Sequence, residues 1–399
     1  MRPIKFFFIG CMTAGLLCAC SESEVIPTYD VNLRYEMPTD IGSYSVESGI
    51  LSFTELNSGV FTEIQLADTE SARLAPGTYN YEGTMTVMDA GVKRTLRTVG
   101  RQVEVTSATS SLDLSWFFYN PDNSLVFSEI FVTGSLNAKG TGGLYDSYFR
   151  IYNNTDEVQY ADGLAIVESK LTNTDNNTIV TPEAQRNVNF LAQTVYVIPG
   201  GGHDVAIQPG QSIKIVDQAI NWGEEVSGAL DHRDADFEWY DEVTTGSIRD
   251  TDNPSVPNLD KWFSYSATIW LPSNQCNRSY ALVKFPEGMT AEAFLATYVG
   301  DYTYISSVTG KEMVGNKCYR IPHSWIVDGV NLCPTEVYTI SALDSSIDMS
   351  YKAISEKNSD KNRFGNVFIR RQSGISTTGN VVLMDTDDSA HDFEVKPVR

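Results

Sequence analysis

Tyr148-Phe-Arg-Ile-Tyr-Asn-Asn-Thr-Asp156, followed by Tyr160-Ala-Asp-Gly-Leu164, sets the architecture of this 399-residue chain. Aromatic and β-branched side chains suit a pleated, half-buried strand. Asn-Asn-Thr-Asp then breaks it, because short amide and carboxylate side chains hydrogen-bond their own backbone in turns. The same pattern continues outward. Upstream, Glu129-Ile-Phe-Val-Thr-Gly134 opens a strand. Downstream come Val195 to Pro199 and Ile207-Gln-Pro-Gly-Gln-Ser-Ile-Lys-Ile-Val216. Near the C-terminus stand Val367-Phe-Ile-Arg-Arg371, Val382-Leu-Met-Asp-Thr-Asp-Asp-Ser389 and Asp392-Phe393. Short alternating runs separated by Gly, Asn, Asp and Pro predict a mainly β chain of sandwich type.

Residues 25–117 read as a first, small β-sandwich. Tyr29 to Tyr35 alternates as a strand, Leu74-Ala-Pro-Gly-Thr-Tyr79 turns into a strand over Asn80 to Val87, and Val103 to Leu114 supplies a last strand. Helical signals are few. Thr181-Pro182-Glu183 offers an N-cap, a proline at the first helical position and an acidic first turn. Met289 to Tyr298 (MTAEAFLATY) predicts a second short helix capped by Thr290.

The Leu-x-Pro-Gly-x-Tyr turn resembles those of prealbumin-like, Ig-like domains, which implies a spacer. Residues 118–399 resemble a lamin-tail-like domain, an Ig-type β-sandwich. The likeness rests on the Tyr-Asn-x-Thr-Asp turn, the Pro-Gly segment before Ser212, the Arg-bearing strand at 367–371 and the Asp-rich loop ending in Asp392-Phe393. Three further stretches are similar to a Bacteroidota lipoprotein family known as domain of unknown function 4876. They are Ala235-Asp-Phe-Glu-Trp-Tyr240, Asp252-Asn-Pro-Ser-Val-Pro-Asn-Leu259 and Cys318-Tyr-Arg-Ile-Pro-His-Ser-Trp-Ile-Val-Asp-Gly-Val330. That resemblance implies fold and place, and no activity. It leaves residues 217–365 as a large insertion in, or second lobe beside, a sandwich, with a few short helices. Long surface segments of this kind usually carry function.

The N-terminus reads as an address. Met1 to Lys5 is basic, Phe6 to Leu17 is apolar but too short to span a bilayer, and Leu17-Cys18-Ala19-Cys20 closes it. This resembles a bacterial lipobox. It implies a signal peptide over 1–19, an acyl (palmitate-type) anchor on Cys20 and an acidic tether over 20–24. Acyl chains hold a protein at a membrane surface. Such an acidic tether resembles export signals to the outer face of the outer membrane. Removing the signal and acylating Cys20 leaves Cys276, Cys318 and Cys333 as thiols. Cys318–Cys333 closes the shorter possible disulfide loop, and three buried free thiols fit equally.

With 51 Asp and Glu against 29 Lys and Arg, the formal charge is −22. That balance argues against nucleic acid, whose binding needs Lys and Arg to neutralise phosphates. The sequence lacks HExxH, GxSxG, GxxxxGK[ST] and the dinucleotide fingerprint. Asp231-His-Arg-Asp234 places an acid and a base together, or is a solvated loop. Asp250 and Asp252, and Asp385 and Asp387, put hard oxygen ligands at alternate positions. That spacing suits calcium and equally suits solvated Asx turns. Trp239, Tyr240, Trp262 and Trp325 are the candidate ligand-binding residues, since aromatic faces beside polar groups bind sugars, peptides or planar molecules. Packing a core is the competing use of the same rings.

Three functional readings follow. In the first, a surface-exposed outer-membrane lipoprotein acts as a binding module and assists a transporter barrel in nutrient uptake. A structural or adhesive envelope protein is the second. The third is a hydrolase using two facing carboxylates, and the absence of standard motifs leans away from enzyme function.

Overall fold

The computed structural model describes residues 27–37, 41, 43–66, 71–89, 92–118, 125–243, 249–376, 378–385 and 387–398. The signal segment 1–19, Cys20 and the tether 20–24 lie outside the described residues. The chain divides into two compact units. One runs through Met88 and takes in Thr98–Ser115, and the other comprises Asp89–Arg97 and the chain from Trp116. The protein is mainly β, with several sheets and a few short helices, as its turn-punctuated sequence predicts.

In the first unit, Tyr29–Glu36 lies between Ser71–Leu74 and Ser111–Ser115. A second sheet orders Phe61–Gln65, Tyr44–Glu55, Gly77–Asp89 and the part of Val92–Val105 from Thr98 onward. Alternation puts Val31, Leu33, Leu51 and Phe53 inside, as a sheet with one buried face requires. The strand expected over Val103 to Leu114 is interrupted. Thr109 donates its backbone N–H to the Thr106 carbonyl, and the Thr109 hydroxyl accepts from the Thr106 N–H (2.9 Å). Threonine hydroxyls thus compete with the ladder and make a turn.

The larger unit stacks two sheets. The first orders Phe237–Glu238, Ser212–Val216, Tyr148–Asn153, Leu125–Phe131, Asn366–Arg370 and Phe393–Pro397. The second orders Thr178–Ile179, Val299–Ile305, Glu312–Pro322, Asn189–Val197, Leu164–Ser169, Ser279–Lys284 and Ile326–Asn331, with Asp260–Ser264 also pairing with Asn189–Val197. Phe127, Ile130, Phe149 and Ile151 of the first sheet share one core with Leu164, Ile166, Tyr196, Tyr280 and Leu282 of the second. Fully burying one such side chain contributes roughly 1.5–3 kcal/mol. The intervening residues Ala165, Val167, Val195, Ala281 and Val283 face the opposite way, into a second core. Strand Leu164–Ser169 is therefore buried at every position, which is why it reads as a continuous apolar run rather than an alternation.

Residues 217–365, expected as an insertion in the sandwich or a second lobe beside it, supply strands to both sheets. Strands Ser279–Lys284 and Ile326–Asn331 extend the second sheet, and Trp270, Tyr280 and Val330 fill the shared core. The short helices fall where turns of sequence allow. Thr290 caps Ala291–Thr297, its hydroxyl accepting the Ala293 N–H at 3.1 Å. Thr181-Pro-Glu gives one 3-10 turn, Pro182–Ala184, whose Thr181 hydroxyl turns to the Thr303 hydroxyl (3.2 Å) instead of capping it. Cys276, Cys318 and Cys333 are buried free thiols.

Candidate functional site

The second core is roofed by one short helix, Ala291–Thr297. Phe294 is its buried contact, with ring centroids 5.1 Å from Phe285, 5.4 Å from Tyr319 and 5.6 Å from Tyr298. Phe294 and Tyr298 stand four residues apart and so share a helix face. Around this roof, Trp262 stacks on Phe285 (4.5 Å, 23°), and Trp325 meets Phe285 and Tyr298 edge-on (5.7 and 4.7 Å). Trp262, Phe285, Tyr298 and Trp325 all remain half-buried. Seven helical residues are too few to cover the outer face of so wide a sheet. Offset and edge-to-face pairs hold each ring in place, so the face is an ordered aromatic platform.

The four aromatic residues singled out in the sequence separate into two places. Trp262 and Trp325 meet on this platform through Phe285. Trp239 is fully buried between Phe149 and Trp270, its indole N–H directed to the Trp270 carbonyl (3.3 Å). It packs the shared core and is closed to a ligand. Tyr240 is half-buried, adjacent to the buried Asp241. Phe285 was missed because a single phenylalanine after an apolar strand carries no local mark of exposure.

The paired aspartates of the two acidic runs have partners already. The Asp250 carboxylate accepts the N–H groups of Asp241 (2.7 Å) and Thr251 (2.9 Å). Asp252 accepts from the Asn258 amide (2.9 Å). Asp385 pairs with Arg370 at 3.0 Å, and Asp387 pairs with Arg97. Among the described residues, no three His, Cys, Asp or Glu side chains converge as a metal-holding group.

The acid and base of Asp231-His-Arg-Asp234 also separate. Asp231 forks onto Arg233 (2.6 Å) and Asp234 onto Lys214 (2.9 Å). His232 is buried, its Nε2 lies 2.9 Å from the Asp146 carbonyl, and burial pushes its pKa down to about 4. It is therefore neutral at pH 7. Glu238 accepts the N–H groups of Ala219 (2.7 Å) and Asn253 (2.6 Å). Asp241 takes the Tyr196 hydroxyl (2.8 Å), the Lys261 ammonium (2.6 Å) and the Trp270 N–H (2.6 Å). Each of these carboxylates is thus engaged by an internal partner. The sequence reading missed Asp217, which lies fully buried close to them.

Comparison with known proteins follows the same outline. Residues 208–398 match the model of a protein family of unknown function (DUF4876). The whole fold is similar to the crystal structure of a DUF4876 family protein from Bacteroides thetaiotaomicron, at 19% identity and a TM-score of 0.55. That likeness covers 92% of this chain and 95% of the other. No curated protein matches the sequence.

Proposed function

We propose that this protein is a lipid-anchored binding module on the outer face of the outer membrane, accessory to a transporter barrel in nutrient uptake. The observation that carries the reading is the half-buried aromatic platform on which Trp262 and Trp325 meet across Phe285. Ordered, half-buried aromatic rings favour recognition of a partner or planar ligand surface, because they supply contact area at little entropic cost. The lipobox around Cys20 and the acidic tether supply the anchor and the address in this reading, and the larger unit is taken as a lamin-tail-like sandwich. The hydrolase reading lacks support, because Asp231, Asp234, Glu238 and Asp241 are occupied by cations and backbone N–H groups.

The test is capture from native envelopes in mild detergent, with the acylated full chain as bait. A transporter barrel retained by the wild type and lost with Trp262→Ala/Trp325→Ala supports the reading. Equal recovery with both baits, or recovery of neither barrel nor ligand, overturns it. Cys20→Ala tests the anchor separately, by loss of incorporated acyl label.

A further inference from the structure

Asp217 follows strand Ser212–Val216 and is 1% exposed. Neither of its carboxylate oxygens has a hydrogen-bond partner. An ionised carboxylate in such a place is strongly disfavoured unless a cation or a proton accompanies it. The charges that bear on it most are those of Asp250, Asp241, Asp146 and Glu238, all acidic, and burial with this repulsion drives its pKa well up.

Backbone geometry brings these groups together. The Asp217 N–H donates to the Ser147 carbonyl (2.9 Å), next to Asp146. Parallel pairing sets Val216 against Glu238, and the Trp239 N–H donates to the Val216 carbonyl (3.0 Å). Asp241, two residues on, is tied to Asp250. Glu238, Asp241 and Asp250 have donors, and the Lys261 ammonium already pairs with Asp241. Asp146 is fully buried, and its Oδ1 accepts the Ser135 N–H (2.8 Å) while its Oδ2 has no partner. Three buried carboxylate oxygens, two on Asp217 and one on Asp146, thus go unmatched in a strongly negative region.

We propose that Asp217 anchors a buried site for a hard divalent cation of calcium type, with Asp146, Asp241 and Asp250 supplying the surrounding negative charge. The donors are oxygens, which select hard cations over softer metals. No three of the acidic side chains close a coordination sphere by themselves. Asp217 is then the direct carboxylate ligand, and backbone carbonyls and water complete the six to eight positions calcium accepts. The site is separate from the aromatic platform and does not depend on the binding reading above.

Equilibrium dialysis of the chelator-stripped full chain against calcium chloride, read by plasma emission spectrometry and thermal melting, tests this. The expected result is one calcium ion per chain and a melting temperature raised by calcium, both lost in Asp217→Asn. Glu183→Gln, on the exposed 3-10 turn after Thr181 and outside the cluster, should bind as the wild type does. If Asp217→Asn does not fold, Asp146→Asn should weaken binding several-fold instead. A wild type that retains no calcium overturns the proposal, as does binding unchanged by Asp217→Asn or, where that variant does not fold, by Asp146→Asn. A melting temperature indifferent to calcium that falls as pH rises would identify a proton as the compensating charge, and would equally overturn it.

Discussion

The Arg370 guanidinium is buried and divides its donors among Asp328 (2.7 and 2.6 Å), Asp385 (3.0 Å) and the Phe127 carbonyl (2.7 Å). Removing one partner from a buried ionic group leaves the others uncompensated. Arg370→Met should cost about 3–5 kcal/mol in urea denaturation. Arg233→Met breaks a solvent-exposed fork onto Asp231 and should leave the urea midpoint unchanged. Asp348 supplies a pH prediction. It is buried and accepts the N–H groups of Asn331 (2.7 Å) and Ser389 (2.8 Å), yet burial pushes its pKa up to about 7. Its folded-state pKa lies above the unfolded value. Its contribution is therefore complete below about pH 4 and lost as pH rises through 7. Wild-type stability measured by urea should fall from pH 5 to pH 8. Asp348→Asn should flatten that slope by up to about 2–3 kcal/mol, and an unchanged slope would refute the assignment.

At the scale of elements, one cross-strand glycine acts as the seat for a tyrosine ring. Gly315 lies opposite Tyr302, and an added Cβ there would come within 2.2–2.5 Å of the Tyr302 ring atoms. Gly315→Val should destabilise the hairpin Val299–Ile305/Glu312–Pro322 by about 1–3 kcal/mol through overpacking, read as a lowered urea midpoint. Thr290→Ala removes the cap of Ala291–Thr297 and should cost about 1 kcal/mol. The helix and its cap were legible because Thr, Ala, Glu and an i, i+4 aromatic pair agree locally. Strands Tyr148–Asn153, Ser212–Val216 and Asn366–Arg370 were legible because turn residues bound them. The place of residues 217–365 in the second sheet was not, since its strand partners are set by distant pairings that no local window contains. Nor could composition tell Trp239 from Trp262. An indole fills a core or faces solvent with equal chemistry, and only the stacking of two sheets distinguishes them. Asp217 is illegible for the same reason. It follows an ordinary strand, and its neighbours come from three other segments.

For the molecule as a whole, a net charge of −22 means mutual repulsion that compaction concentrates. Added sodium chloride screens it, with a Debye length of about 10 Å at 0.1 M. The melting temperature should therefore rise between low salt and 0.3 M, and a fall would mean that paired charges outweigh surplus ones. At the acid end, Glu55 acts oppositely to Asp348. Its carboxylate accepts from Ser58, Asn57 and Thr78, and these bonds hold its pKa near 2. Its contribution is present above about pH 4 and lost as pH falls toward 2.

The order of strands in the first sheet of the larger unit has a consequence in time. Leu125–Phe131, the first strand of that sheet to be synthesised, pairs with Asn366–Arg370, among the last, with Phe368 set against Ile130. No nascent chain ending before Asn366 can complete that sheet, and Asp328 stays without its guanidinium partner until Arg370 is made. Closing so long a loop is slow, because its entropy must be surrendered before the contact repays it. Until then an apolar strand edge carrying Phe127 and Ile130 stands open, ready to pair with another chain. A truncated or stalled polypeptide of this protein is thus a seed for aggregation, and the segment from Asn366 onward acts as the latch that removes the hazard.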